Sequence, residues 1–229
     1  MQHRYHPPRQ LVLDLGYRPA LGREDFLIAD SNRAAVAWID RWPDWPQPTL
    51  VLHGPAGCGK SHLVQVFARR SGAVVVEAAR LTPEQPPRLV TGQRPVAVED
   101  ADQTGDETAL LHLFNLARES HAALLLTADM PPARWPLRLP DLRSRLNAQP
   151  AAAIAEPDDA LMTAVLVKMF ADRQIHVNEE CLAYLLRRME RSFAAARDVV
   201  AAADALALAT RRPVSPALLE TVLATLEQD

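Results

Sequence analysis

The sequence contains little cysteine, no excess of positive charge and no long apolar run. Two cysteines, Cys58 and Cys181, stand in unrelated contexts among 229 residues, which excludes a disulfide scaffold and a four-ligand zinc site and indicates a reducing compartment. The formal net charge of −3 excludes the basic field that a phosphate backbone requires, so we expect any DNA contact to be indirect or weak. No stretch reaches the roughly 18 apolar residues of a membrane span. We therefore expect a cytoplasmic protein without a membrane contact.

The pattern of apolar residues divides the chain into three parts. Short apolar runs alternate with amphipathic stretches, which predicts a parallel sheet with helical crossovers. The predicted strands are 49–53, 74–77, 96–100 and 124–127, and the predicted helices of this part are 34–42, 61–70 and 107–120. After Pro157 only helical patterns follow, at 158–173, 178–191, 193–209 and 216–227. We predict an α/β fold with a flexible leader at 1–22, a nucleotide-binding subdomain at 23–156 and an all-helical lid subdomain at 157–229.

A phosphate-binding loop is the most specific motif in the chain. The segment reads Gly54-Pro55-Ala56-Gly57-Cys58-Gly59-Lys60-Ser61, followed by His62. It matches G-x-x-x-x-G-K-[ST] between an apolar strand and an amphipathic helix, the context that this motif demands. The glycines let successive N–H groups turn inward, and the helix adds the positive end of its dipole. Lys60 is expected to reach the β- and γ-phosphates of ADP or ATP, and the Ser61 hydroxyl to bind Mg²⁺.

Carboxylates follow two further predicted strands. Glu99 and Asp100 end the run from Val96, which fits a Walker B segment in which one carboxylate orients the metal and its neighbour polarises the attacking water. Both are candidate metal ligands beside Ser61, and Asp100 is also the candidate catalytic carboxylate. Thr127 and Asp129 end the next strand and are expected to approach the γ-phosphate. The alternative for both is an ordinary polar end of a buried parallel strand.

These motifs in this order resemble the DnaA-like AAA+ family, and especially its short Hda group. The resemblance runs from Gln10 to about Leu226, and it implies a P-loop AAA+ parallel-sheet core with a C-terminal helical lid. Three more stretches contribute to it: Asp30 to Arg33, the segment Leu126 to Pro132 that resembles the sensor 1 strand and loop, and Pro140 to Leu146 that resembles box VII. In box VII the family's arginine finger corresponds to Arg145. The alternative for Arg145 is a salt bridge at a helix end or on the surface.

The leader contains a segment that resembles a docking motif for the DNA polymerase III β sliding clamp. Gln10 is followed by Leu11, Leu13 and Leu15, a glutamine and leucines that suit an extended peptide with apolar anchors. The same alternation also suits an ordinary edge strand.

The sequence departs from the family pattern at several points. Glu99 stands where the family usually has aspartate, and the sensor 2 arginine would fall near Ala194 or Ala195, so Arg197 is the nearest candidate to contact the nucleotide. The segment from Lys60 to Glu99 is short for the extra helices that DnaA uses on single-stranded DNA. The sequence ends after the helical part, so we expect no helix-turn-helix module. It leaves open whether the protein turns over ATP itself.

The resemblance implies a regulator of replication initiation. Such a protein binds ADP or ATP, docks on the clamp and stimulates hydrolysis of the ATP bound to DnaA, which prevents re-initiation; self-association into a homo-oligomer is compatible with this role. The alternatives are an AAA+ helicase loader or DnaA adaptor, and a small P-loop kinase, for which the helical part offers no evident second substrate pocket.

Overall fold

The computed structural model describes residues 27–226, which form a parallel sheet covered by helices and then a group of helices. The strands are β1 (Thr49–His53), β2 (Val74–Glu77), β3 (Val96–Glu99), β4 (Leu124–Ala128) and β5 (Ala151–Ala153). The helices between and before them are α1 (Arg33–Arg41), α2 (Lys60–Ser71), α3 (Pro86–Leu89), α4 (Glu107–Glu119) and α5 (Pro140–Asn147). The later helices are α6 (Asp159–Asp172), α7 (Glu179–Arg188), α8 (Phe193–Thr210) and α9 (Pro216–Leu226).

The five strands are all parallel and lie in the order β2-β3-β4-β1-β5. Because helices cover both faces, the central strands are apolar along their length rather than alternating. Every residue of β4 is buried, as are the first four of β1. Parallel strands bring their carboxyl ends to one edge of the sheet, and ligands of open α/β sheets bind outside that edge. The loops after β1, β3 and β4 therefore lie at a common edge.

Apolar side chains form a separate core on each face of the sheet. On one face Val98 and Leu126 pack with Leu110 of α4. On the other face Leu125 packs with Phe67 of α2, against which the Trp45 ring stacks at 5.3 Å between ring centroids. The last four helices share a third core. The sheet edge that carries the phosphate motif is thus supported from both faces.

The sequence predicted four of the strands and most of the helices within about two residues. Strand β5 was not predicted, because three alanines carry little strand preference and their pairing with β1 is not local. Helix α5 was also not predicted as a helix, although Pro140 stands at its first turn, where proline is favoured. The predicted helix 178–191 is too long, since α7 ends at Arg188 and Met189 is extended.

The predicted clamp-docking segment, Gln10 to Leu15, lies outside the described residues. Within residues 27–226, no helix is both long and apolar enough to cross a lipid bilayer.

Candidate functional site

The loop between β1 and α2 has the backbone of an anion-binding turn. Gly57 and Gly59 adopt positive φ angles of 73° and 106°, which glycine adopts without steric cost. A Cβ atom on Gly57 would lie 2.3 Å from Cβ of Ser192, so the loop approaches the start of α8 as closely as a glycine allows. Helix α2 begins directly at Lys60, and the first N–H groups of a helix have no partner within it. The loop therefore presents backbone donors where a phosphate can bind.

Lys60 is held in place by three acceptors. Its Nζ donates to the carbonyl oxygens of Gly54 at 2.6 Å and Pro55 at 3.0 Å. The third acceptor is Oδ1 of Asp129, at 2.8 Å. The lysine side chain is only 8% exposed, so its charge is compensated by the carboxylate and its three N–H donors are all used.

Two hydrogen bonds join the segment after β3 to the end of β4 and the residue that follows it. The backbone N–H of Asp100 donates to Oγ1 of Thr127 at 3.2 Å, and Thr127 is buried. The backbone N–H of Asp129 donates to Oδ2 of Asp102 at 3.1 Å. The other carboxylate oxygen of Asp102, Oδ1, is buried and has no hydrogen-bond partner among the described residues. Burial raises the pKa of the Asp102 carboxyl above its ordinary value.

A cavity of about 630 Å³ opens beside this loop and reaches the helices after residue 157. Its lining combines polar groups of the phosphate loop and of the loops after β3 and β4 with the apolar side chains of Leu27, Leu161, Val165, Met169 and Phe193. The backbone N–H of Phe193 donates to the carbonyl oxygen of Gly57 at 3.0 Å, which ties the first residue of α8 to the phosphate loop. The cavity thus offers donors for a phosphate together with apolar side chains that suit a base.

The cavity brings together many of the residues that the sequence predicted. Those that line it are Ala56, Gly57, Gly59, Lys60, Ser61, His62, Asp100, Asp129 and Arg197. Those that do not line it are Gly54, Pro55, Cys58, Glu99, Thr127 and Arg145. Thr127 is instead buried beneath the site and fixes Asp100 through its backbone. Arg197 lies on α8 with a side chain that is 66% exposed.

Cys58 is buried behind the loop rather than in the cavity. Burial raises the pKa of its thiol above the ordinary value. The thiol is therefore protonated at neutral pH and is a poor nucleophile.

Arg145 lies on α5, away from the cavity. Its Nε donates to Oδ1 of Asp141 at 2.9 Å, one helical turn earlier. The arginine side chain is 34% exposed and the aspartate 56%. The structure therefore shows the helix-surface salt bridge that was the alternative for Arg145.

Ser61 and Asp100 fit a magnesium site completed by phosphate. Among residues 27–226, no three His, Cys, Asp or Glu side chains are grouped so that they could hold a metal ion. Magnesium is usually bound through one or two carboxylates together with substrate phosphates and waters. The hydroxyl of Ser61 and the carboxylate of Asp100 line the same cavity and could supply the protein's share of such a set.

Several residues of the site were missed by the sequence reasoning. Asp102 was overlooked, although a third carboxylate so close to Glu99 and Asp100 was a visible signal. Nothing local in the sequence indicates that Ser192 packs against Gly57. Lys168 and Asp172 of α6 also line the cavity and form an ion pair at 3.0 Å. Their contact with the site depends on how the helices pack on the sheet, which the sequence pattern does not contain.

Comparison with known proteins yields no matching family model but many DnaA relatives. The chain is 24% identical to the chromosomal replication initiator protein DnaA of Thermomicrobium roseum, an alignment that covers 89% of this chain and 49% of that protein. It is 22% identical to DnaA of Clavibacter sepedonicus, over 94% of this chain and 51% of that protein. The chain thus spans about half the length of the curated relatives it matches.

Solved structures show the same likeness at the level of the fold. Domain III of the Thermotoga maritima replication initiation protein DnaA superposes with a TM-score of 0.74 at 19% identity, covering 88% of this chain and 95% of that one. The Thermotoga maritima RuvB Holliday junction branch migration motor gives a TM-score of 0.68 at 12% identity, covering 87% and 68%. The protein therefore has the α/β P-loop AAA+ fold, in a form similar to domain III of DnaA.

Proposed function

We propose that the protein binds ADP or ATP together with Mg²⁺ in the cavity beside the phosphate loop. The loop supplies backbone donors and Lys60, and the apolar part of the lining, which includes Leu161, Val165 and Phe193, supplies a surface for the base. A structurally similar protein, DnaA from Aquifex aeolicus, has been solved bound to AMPPCP, which supports a nucleotide as the ligand. In this proposal Lys60 contacts the β- and γ-phosphates, Ser61 and Asp100 hold the metal, and Arg197 approaches the phosphates from α8.

We further propose that this AAA+ protein regulates replication initiation by stimulating hydrolysis of the ATP that is bound to DnaA. The observation that carries this step is the position of Arg145, which lies outside the cavity of its own chain on a partly exposed helix. A partly exposed guanidinium that does not line the cavity of its own chain is available for a γ-phosphate bound to a neighbour. An arginine supplied in trans neutralises charge that develops during phosphoryl transfer and accelerates it by roughly 10³ to 10⁵.

In the same proposal the segment from Gln10 to Leu15 docks the protein on the DNA polymerase III β sliding clamp. Its support is the sequence alone. Docking would make the stimulation depend on clamp that is loaded on DNA, so DnaA would be inactivated only after replication has started. The net charge of −3 suits a protein that reaches DNA through a partner rather than directly.

The test is hydrolysis of DnaA-bound ATP in the presence of DNA-loaded clamp and this protein. We expect the wild-type chain to stimulate hydrolysis and Arg145→Ala to reduce the stimulation by roughly 10³. Arg134→Ala, which removes the same charge from another exposed site, should stimulate as the wild type does. Equal stimulation by Arg145→Ala and wild type would disprove the role of the arginine.

A helicase loader or DnaA adaptor is the alternative, and the clamp-docking segment distinguishes it. The triple variant Gln10→Ala/Leu13→Ala/Leu15→Ala should lose clamp binding if the regulator proposal is right. A loader would tolerate these changes and would co-purify with a replicative helicase. The AAA+ fold itself does not distinguish a regulator from a loader, because RuvB, a branch migration motor, superposes nearly as well as DnaA.

A further inference from the structure

The loops after β3 and β4 carry Asp100 and Asp129, which both line the cavity, yet the strand pairing ends before them. The ladder between these strands runs only from Val96↔Leu124 to Val98↔Leu126. Beyond it the two segments have no regular strand pairing that would fix their separation. Binding side chains must be held by supporting contacts, because a displacement of about 1 Å already weakens a site.

Asp102 supplies a connection that the ladder lacks. It lies in the 3-10 turn Ala101–Gln103 that follows β3, and its Oδ2 accepts the backbone N–H of Asp129 at 3.1 Å. That bond holds the backbone of the residue whose own carboxylate contacts Nζ of Lys60 at 2.8 Å. A chain of two contacts therefore leads from Asp102 to the lysine of the phosphate loop.

The carboxylate of Asp102 destabilises the fold at this position. Its Oδ1 is buried without a partner within residues 27–226, and a buried polar atom that is left unsatisfied destabilises the fold and calls for an explanation. A hydrophobic side chain there would avoid this cost but could not accept the Asp129 N–H. The geometry thus favours a role for Asp102 in the site rather than in stability.

We propose that Asp102 is a positioning residue of the nucleotide site, which holds Asp129 and through it Lys60 in the arrangement that receives the β-phosphate. This inference rests on the proposed nucleotide site. Two of the three acceptors of Lys60 are loop carbonyls, and a phosphate can replace one of them while the contact with Asp129 persists. Residues that orient a direct ligand from behind it typically contribute about 10- to 100-fold to affinity.

The experiment measures binding of ADP and of AMP, both with Mg²⁺, by titration calorimetry. We expect Asp102→Ala to weaken ADP binding about tenfold and to leave AMP binding unchanged, because AMP has no β-phosphate to contact Lys60. Asp102→Asn retains an acceptor oxygen and should bind ADP nearly as the wild type does. Asp106→Ala is the matched control, since Asp106 likewise accepts a backbone N–H, that of Ala109 at 2.9 Å, but Ala109 does not line the cavity, whereas Asp129 does.

Hydrogen exchange of the Asp129 amide in the nucleotide-free protein separates the two proposals. We expect exchange to be at least about tenfold faster in Asp102→Ala and close to wild type in Asp102→Asn. If wild-type protein binds no nucleotide, the proposed function fails, and the exchange rates alone decide whether Asp102 holds Asp129. Unchanged ADP affinity in Asp102→Ala, or an equal loss for ADP and AMP, would overturn the positioning role while leaving the nucleotide site intact.

Discussion

The phosphate loop and helix α5 each carry a cation that a motif singled out, but the fold treats the two cations differently. Lys60 is 8% exposed and bonded to two carbonyls of its own loop and to the carboxylate of Asp129, 69 positions away. Arg145 is 34% exposed and bonded only within its own helix turn. The surroundings of the lysine are built by this chain, whereas in our proposal the arginine meets its phosphate on a partner. Nucleotide binding can therefore be tested on the isolated protein, but the arginine must be tested in a complex.

Gly57→Ala, in the phosphate loop, should have the largest effect on stability and on ADP binding. Gly57 has a φ of 73°, and a Cβ there would lie 2.3 Å from Cβ of Ser192. The left-handed backbone costs roughly 1–2 kcal/mol for a residue with a side chain, and the overlap adds about 1–3 kcal/mol. We expect the free energy of unfolding, measured in urea, to fall by about 3 kcal/mol, with ADP binding lost.

Gly72→Ala is the matched control for this substitution. Gly72 has nearly the same φ of 72°, but a Cβ there would meet nothing within 4 Å. In Gly72→Ala the free energy of unfolding should fall only by the backbone cost of about 1–2 kcal/mol, and ADP affinity should not change. Equal losses of stability in both variants would show that the loop does not need its close contact with the start of α8.

A smaller effect is expected for Ser192, the residue that Gly57 contacts. Ser192 caps α8 by accepting the N–H of Ala195 at 3.0 Å, and Asn178 caps α7 by accepting that of Cys181 at 2.9 Å. Replacing either cap by alanine should lower the free energy of unfolding by about 1 kcal/mol. Only Ser192→Ala should also weaken ADP binding, because the neighbouring Phe193 N–H bonds the loop at Gly57. ADP titrations of both variants check this; a loss with Asn178→Ala as well would indicate a general loosening of the helices.

The sequence predicted those features whose contacts are local in the chain, and it missed those whose contacts join distant residues. The strand, the glycines and the helix of the phosphate loop are consecutive in the chain, so a local motif and hydrophobic periodicity were sufficient. The bond between Asp102 and Asp129 spans 27 positions, and the contact of Gly57 with Ser192 depends on the packing of the helices. Strand β5 likewise exists only through its pairing with β1. For Arg145 the family resemblance predicted a role, while the residues themselves favoured the salt bridge that the structure contains.

The smallest effect concerns the pair of Arg145 and Asp141, and it tests whether α5 is as independent of the fold as the comparison implies. An exposed ion pair one helical turn apart contributes about 0.3–0.5 kcal/mol. We therefore expect Asp141→Asn to lower the free energy of unfolding by no more than about 0.5 kcal/mol, and the difference from wild type to vanish in about 1 M salt, where the Debye length is about 3 Å. Nucleotide affinity should not change, since neither side chain lines the cavity. A loss above about 1 kcal/mol, or one that persists in high salt, would mean that the pair supports the fold, and Arg145 would then be held too firmly to serve a neighbouring protein.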